Sequence, residues 1–296
     1  MHLHRSMTSS LLLALALNLG CASSAPSLLT TSPNEKESTL NAASNKTLVL
    51  EALEAIMVRH DASAVDRYFA EPYRQHNPQI PSGLDALRQL VTGLAGNPKF
   101  RYEHFRVLAQ GDLVVVHGRY TGWLPQPVVA FDLFRVDHGK IVEHWDGIQP
   151  EMGPNPSGHS MVDGPTQTTQ LERTEQNRAL VLGFVDAVLV KGEVNRLPAF
   201  FAGDTYQQHN PQVGDGLSGL GAFLAKLHEQ GIAMRYGRVH RAVAEGNFVF
   251  AQSEGEFGGK PQAFYDLFRV EEGKIAEHWD VIQEVPASTA SGLGMF

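Results

Sequence analysis

The chain has a single cysteine, Cys21, among 296 residues, which excludes any disulfide within it. It is also short of basic residues, with 24 Lys and Arg against 32 Asp and Glu and a net charge of −8. No Lys/Arg cluster forms a stripe for a phosphate backbone, so nucleic acid is excluded as a partner. The acidic excess is what solubility asks for. Past Leu19 no apolar run is long enough to cross a bilayer. Catalytic signatures are scarce as well. No glycine-rich phosphate loop, Gly-x-Ser-x-Gly elbow or cysteine nucleophile is expected, and dinucleotide, kinase and Ser/Cys hydrolase chemistries fall with them. Two histidines and two carboxylates in each of the units described below could hold a metal. No His-x-x-x-His or His-Glu-x-x-His spacing supports one, so neither a metal nor any other cofactor is expected.

What is present begins with a leader. Arg5 and the pair His2/His4 precede an apolar run, Leu11 to Leu19, interrupted only by Asn18. The run is too short to span a membrane and reads as a signal peptide. Cys21 follows Leu19-Gly20, and the segment resembles a bacterial lipoprotein signal, in which that cysteine is lipidated. It departs from the pattern at Asn18. Ser23-Ser24-Ala25 is a rival site for ordinary secretory cleavage, which would discard Cys21. The expectation is a lipoprotein-type signal over 1–21 and a flexible Ser/Ala/Thr/Asn tether over 22–44. The protein is placed in the cell envelope, on the periplasmic side and anchored at Cys21, or else secreted. Such an anchor is the one membrane contact expected.

The length allows two domains, and the sequence repeats itself. Tyr73-Arg74-Gln75-His76-Asn77-Pro78-Gln79 returns as Tyr206-Gln207-Gln208-His209-Asn210-Pro211-Gln212. Phe131-Asp132-Leu133-Phe134-Arg135-Val136 returns as Tyr265-Asp266-Leu267-Phe268-Arg269-Val270. Glu143-His144-Trp145-Asp146 returns as Glu277-His278-Trp279-Asp280. The period is too long for a solenoid, so each unit is a domain. The units are expected over 45–150 and 172–286, with a Gly/Pro linker over 151–171 and a loose tail over 287–296.

Within a unit the helices come first. Leu48, Ala52, Leu53, Ile56 and Met57 recur at helical spacing. A shorter helix is expected near Ala62 to Phe69, then a His-Asn-Pro bend. Ser82 is expected to cap a third helix carrying Leu84, Leu87, Leu90, Val91 and Leu94, with Asp85 in its first turn. Four strands follow, over 100–109, 113–121, 128–136 and 141–149, with turns at Gly111-Asp112 and His138-Gly139. An antiparallel meander with the helices grouped before it is an α+β fold.

Side chains alternate along a strand, so His144, Asp146 and Ile148 share one face, and Glu143, Trp145 and Gln149 the other. If the last two strands pair through the His138-Gly139 turn, Asp132 and Asp146 meet on one concave face. Carboxylates among Phe, Val and Ile have raised pKa values and suit general acid–base work near neutrality. His76 and Asn77 would close the mouth of that cavity. The second unit offers Asp266, His278, Asp280, His209 and Asn210. The bland readings are that Asp146 and Asp280 pair with Arg135 and Arg269, that His76 and His209 are core histidines, and that the tryptophans are packing anchors. The copies also differ. Trp123 and Leu124-Pro125-Gln126-Pro127 occur only in the first, and His117 and Arg119 correspond to Gln252 and Glu254.

Gln-His-Asn-Pro, Asp-Leu-Phe-Arg-Val with its Gly-Lys-Ile turn, and Glu-His-Trp-Asp-x-Ile-Gln resemble the SnoaL-like domains of the nuclear transport factor 2-like superfamily. They resemble in particular its bacterial aldol-condensation group. The resemblance covers both units and implies two tandem cone-shaped α+β barrels, each a curved sheet wrapped around a pocket and covered by helices. It implies a lyase or isomerase that needs no cofactor and takes a proton from beside a carbonyl. Asp146 and Asp280 would be the bases, His144 and His278 the acids or enolate stabilisers, and Asp132 and Asp266 second choices for the base. Tyr73, His76 and Asn77, with Tyr206, His209 and Asn210, would bind the ligand, a small apolar or carbonyl-containing molecule. The same resemblance leaves a non-catalytic binding or scaffolding module open. It also implies that the two units pair as an intramolecular pseudo-dimer.

Overall fold

A computed structural model describes residues 33–296, so the leader and Cys21 lie outside the described residues. Each unit is a five-stranded sheet with helices on its concave side. The first unit runs α1 (Pro33–Leu53), continued by a wider turn over Glu54–Val58, then α2 (Ala64–Tyr68), β1 (Phe69–Gln75), α3 (Leu84–Ala95), β2 (Arg101–Gln110), β3 (Leu113–Thr121), β4 (Val128–Asp137) and β5 (Lys140–Pro150). The second repeats it with α4 (Thr174–Phe184), continued over Val185–Val190, then α5 (Leu197–Phe200), β6 (Gln207–Gln208), α6 (Gly216–Glu229), β7 (Met234–Glu245), β8 (Phe248–Phe257), β9 (Lys260–Glu271) and β10 (Lys274–Glu284).

The sheet orders are β1-β5-β4-β3-β2 and β6-β10-β9-β8-β7. β2 to β5 form the expected antiparallel meander. β4 and β5 meet through a two-residue turn, His138 at φ 47° and Gly139 at φ 72°. Positive φ at both central residues matches the strand twist, and glycine takes the second without strain.

The expected sheet was wholly antiparallel. Instead β1 adds a fifth strand, parallel to β5, and β6 does the same beside β10. With Pro72 in the run and few β-branched residues, β1 has a weak strand signal. It is held by burying Phe69, Tyr73 and Gln75 on one face. Ser82 does not cap α3. Gly83 does, at φ 95°, and the Ser82 hydroxyl accepts the Gln75 N–H at 3.1 Å. A glycine-rich loop is present after all: Gly214-Asp215-Gly216-Leu217-Ser218-Gly219 has dinucleotide-type spacing. Its context is wrong, because no βαβ crossover surrounds it. Its glycines answer local needs. A Cβ on Gly216 would lie 2.3 Å from Asp204, and one on Gly219 would lie 2.2 Å from the Gly214 carbonyl.

Helix and sheet meet in one apolar layer per unit. In the first, Val49, Ala52, Leu53 and Ile56 pack with Leu84, Leu87 and Val91 on Val114, Val116, Phe134 and Val136. The convex faces of the two sheets share a further core, in which Val115, Phe131, Leu133 and Trp145 pack with Phe250, Tyr265, Leu267 and Trp279. Side-chain amides cross it in both directions: Gln283 accepts the Ile148 N–H at 2.8 Å, and Gln149 accepts the Ile282 N–H at 2.9 Å. Arg241 of the second unit lies 3.8 Å from the Trp145 ring centre, and Arg106 of the first 4.0 Å from that of Trp279.

Three connecting segments depart from expectation. The tether expected through residue 44 is helical from Pro33. The linker is packed: Met161 and Val162 are buried, and the Asp163 carbonyl accepts the Trp279 indole N–H at 2.9 Å. The tail is packed too, with Met295 buried and its carbonyl accepting from Gln252 at 3.1 Å. Low apolar content concealed both segments, because a few buried side chains and backbone carbonyls hold them.

Candidate active site

The β4–β5 register sets Asp132 directly opposite Asp146. Both point into the concave side, with His144 one inward position from Asp146. The space between sheet and helices is lined by Leu53, Ile56, Met57, Leu87, Leu90, Phe100, Tyr120, Trp123, Tyr73 and these three groups. It measures about 520 Å³ counting its open mouth. Its free interior is narrow, about 40 Å³, on a scale where one ordered water takes roughly 10–15 Å³.

Every polar side-chain atom of Asp132, His144 and Asp146 but one is committed. His144 Nε2 bonds Asp132 Oδ1 at 3.1 Å and its Nδ1 bonds Gln75 Oε1 at 2.9 Å. Gln75 Oε1 also accepts the Asn77 backbone N–H at 2.9 Å, which identifies that atom as the oxygen. Both ring nitrogens of His144 thus face acceptors, the pattern of an imidazolium. Burial pulls the His144 pKa down, but the Asp132 hydrogen bond and the two carboxylate charges outweigh it, and the net direction is up. Tyr120 donates to Asp132 Oδ2 at 2.8 Å, and Asn77 donates to Asp146 Oδ2 at 2.7 Å. Asp146 Oδ1 is buried with no partner. Burial pushes the Asp146 pKa up to about 6, with the His144 charge working against it and the Asp132 charge adding to it.

The second unit repeats the core. His278 bridges Gln208 at 3.1 Å and Asp266 at 3.0 Å, and Asn210 donates to both oxygens of Asp280, at 3.0 and 2.8 Å. Burial raises the Asp280 pKa. The phenol bonded to the inner aspartate, however, comes from another strand: Tyr236 of β7 reaches Asp266 at 3.0 Å. Gly255 stands where the first unit has Tyr120, and Phe264 where it has Ala130. The Phe264 ring stacks on Tyr236 with centroids 4.2 Å apart. The two concave faces therefore have different shapes around the same Asp-His-Asp group.

Asp132, His144 and Asp146 offer ligand atoms within 4.8 Å of one another, as do Asp266, His278 and Asp280. A cation there would have to displace the Asp–His hydrogen bonds and the phenol and amide donors.

The other site candidates sort by face. Asn77 and Asn210 meet their aspartates, and Tyr73 lines the cavity. Tyr206 is buried, with Gln208 donating to its hydroxyl at 3.1 Å. His76 and His209 turn away from the concave side. His76 bonds Glu143 at 2.9 Å and stacks on Trp145 with centroids 4.9 Å apart; His209 bonds Glu277 at 2.8 Å and stacks on Trp279 at 4.5 Å. They are core histidines that hold the bend from behind. Arg135 and Arg269 pair with Glu143 and Glu277, at 2.9 and 2.6 Å, rather than with Asp146 and Asp280. Gln75, Gln208, Tyr120 and Tyr236 were not expected at the site. Tyr73-x-Gln75 would have revealed Gln75 had β1 been read as a strand, since alternate residues share a face. Tyr265 was missed too: from the second unit it donates to the Asp146 carbonyl at 2.8 Å. Its ring lies where Gly147 has no side chain, 2.4 Å from an added Cβ.

The family model of the SnoaL-like domain matches the chain twice, over residues 49–144 and 181–278. No curated protein matches its sequence. Among solved structures, TsrD from Streptomyces laurentii is 22% identical, covering 36% of this chain and 89% of its own, with a TM-score of 0.32. An NTF2-like protein of unknown function from Mesorhizobium loti is 22% identical over 37% of this chain and 93% of its own, TM-score 0.33. A steroid delta-isomerase from Pseudomonas aeruginosa is 22% identical over 36% and 81%, TM-score 0.31.

Proposed function

The chain belongs to the SnoaL-like domain family, through both of its units, and from that membership and the inner carboxylates we propose a lyase or isomerase that needs no cofactor and acts on a small enolisable carbonyl compound. One observation carries the reading: Asp146 Oδ1 is a buried carboxylate oxygen without a hydrogen-bond partner, facing an apolar cavity, with its pKa raised to about 6. Such a group is ionised at neutral pH, poorly solvated and basic enough to take a proton from carbon.

In the proposed step Asp146 Oδ1 accepts the proton from the carbon beside the carbonyl, and the C–H electron pair moves onto the carbonyl oxygen as an enolate. The Tyr73 hydroxyl accepts from Gln75 at 3.4 Å and keeps its own proton for that oxygen. The His144 cation lowers the energy of the negative charge without giving up its hydrogen bonds. The enolate then attacks a second carbonyl of the same molecule or takes the proton back at another carbon. Asp146 returns what it removed, so atoms and charge balance.

A binding module without turnover is the second reading, favoured by the narrow free interior. Deuterium wash-in decides between them. Small aryl ketones and 1,3-diketones are incubated with the protein in D2O and followed by NMR. Enzymatic exchange at the carbon beside the carbonyl, lost in Asp146→Asn, supports the enzyme. Saturable binding without exchange supports the module. The location at the cell envelope is part of the proposal and rests on the leader and Cys21. Among the described residues no helix is long and apolar enough to cross a membrane.

A further inference from the structure

The residues on either side of Asn77 are both held by the end of the chain. The Gly294 carbonyl accepts from His76 Nδ1, and the Pro78 carbonyl accepts the Ala290 N–H at 2.8 Å. The strap is itself anchored: Met295 is buried in the core between the two sheets, its carbonyl accepts from Gln252, and Phe296 stacks on His240 with centroids 4.4 Å apart. His76 in turn is fixed from the sheet, by Glu143 at 2.9 Å and by its backbone N–H to the His144 carbonyl at 2.9 Å. Asn77, between these clamped neighbours, donates to Asp146 at 2.7 Å.

The same device occurs a second time, built from the linker. There the Ser160 carbonyl accepts from His209 Nδ1 at 2.8 Å, and Met161 is buried in the same shared core. His209 precedes Asn210, which donates to Asp280. Each segment leaves one sheet and packs against the Asn-bearing bend of the other unit.

We propose that residues 287–296 are a positioning strap for the first unit's site, setting the Asn77 hydrogen bond to Asp146 through His76 and Pro78, while the linker does this for the second. The proposal rests on Asp146 being the working carboxylate. The strap touches no substrate; it acts through Asn77. Without it the bend relaxes, Asp146 loses its amide donor, and the carboxylate becomes harder to ionise.

The test compares the full chain with a chain ending at Pro286, both labelled at the aspartate side-chain carbon for NMR titration. The strap predicts that the Asp146 pKa rises by roughly half to one unit while Asp280 is unmoved. Deuterium wash-in measured at pH 5, where it follows the ionised fraction of Asp146, should fall about three- to tenfold, and the synthetic peptide 287–296 added in trans should restore both. An unmoved Asp146 overturns the proposal. Equal shifts at Asp146 and Asp280 also overturn it, since general loosening would move both. Should the shortened chain fail to fold, Ala290→Pro removes the N–H to Pro78 within the intact chain and is read by the same two titrations. If the full chain exchanges no substrate at all, the enzyme reading fails, and the titrations still decide the strap.

Discussion

Asp146 is the residue on which stability and function pull in opposite directions. Its pKa is raised from 3.8 to about 6, so the folded state favours the proton. The stability this provides is complete below the ordinary carboxylate range and is lost as the pH rises through about 6. Asp146→Asn removes that loss. The variant is expected to be more stable than the parent at pH 8 by on the order of 2–3 kcal/mol, with the gap closing toward pH 4, as urea titrations at the two pH values would show. The same substitution should reduce deuterium exchange by roughly 10²–10⁴-fold, the usual worth of a general base. In the parent, exchange should climb with pH through about 6, as Asp146 ionises. A pH profile without that limb counts against Asp146 as the base. Tyr120 and Gln75 show what single positions conceal: Tyr120 lies in no repeated motif, Gln75 opens the Gln-His-Asn-Pro repeat without a role being legible there, and each is identified only by the atom it bonds.

At the scale of elements, β5 does two jobs with its alternating faces. Inward it carries His144 and Asp146; outward it carries Trp145 into the shared core and Glu143 against His76 and Arg135. Gly147 lies at the join, directly against the Tyr265 ring of β9. A Cβ there would sit 2.4 Å from that ring, so Gly147→Ala should cost about 1–3 kcal/mol through overpacking. Gly147→Ala combined with Tyr265→Leu should recover much of it, a coupling that a double-mutant cycle measures. The second unit has Val281 and the first unit Phe131 at the corresponding places, so the Tyr265 hydroxyl supports the Asp146 carbonyl from one side only. The bend after β1 is the other element that matters, since it brings Asn77 from far along the chain to β5.

For the whole molecule, the shared core means that neither unit is finished alone. A chain ending at Pro150 would expose Val115, Phe131, Leu133 and Trp145 together, a patch that soluble monomers avoid. It is expected to self-associate or aggregate more strongly than the intact chain; sedimentation velocity of the two makes the comparison.

The α+β order, the two units, the four meander strands and the inward pairing of Asp132 with Asp146 follow from the sequence, because period-2 alternation and a two-residue turn fix register locally. His144 beside Asp146 follows for the same reason. The tertiary structure alone decided the rest. β1 is a strand only because β5 lies beside it, and His76 faces Trp145 because the bend is clamped from outside. The linker and tail are ordered by backbone bonds and by a few buried side chains, Met161, Val162 and Met295, too sparse to mark either segment in composition. The raised pKa of Asp146 is an expectation from its apolar neighbours; its extent comes from burial under helices distant in the chain. The difference between Tyr120 and Tyr236 depends on which strand's phenol happens to reach the inner aspartate. Local rules set which face a side chain is on; only packing sets what it meets there.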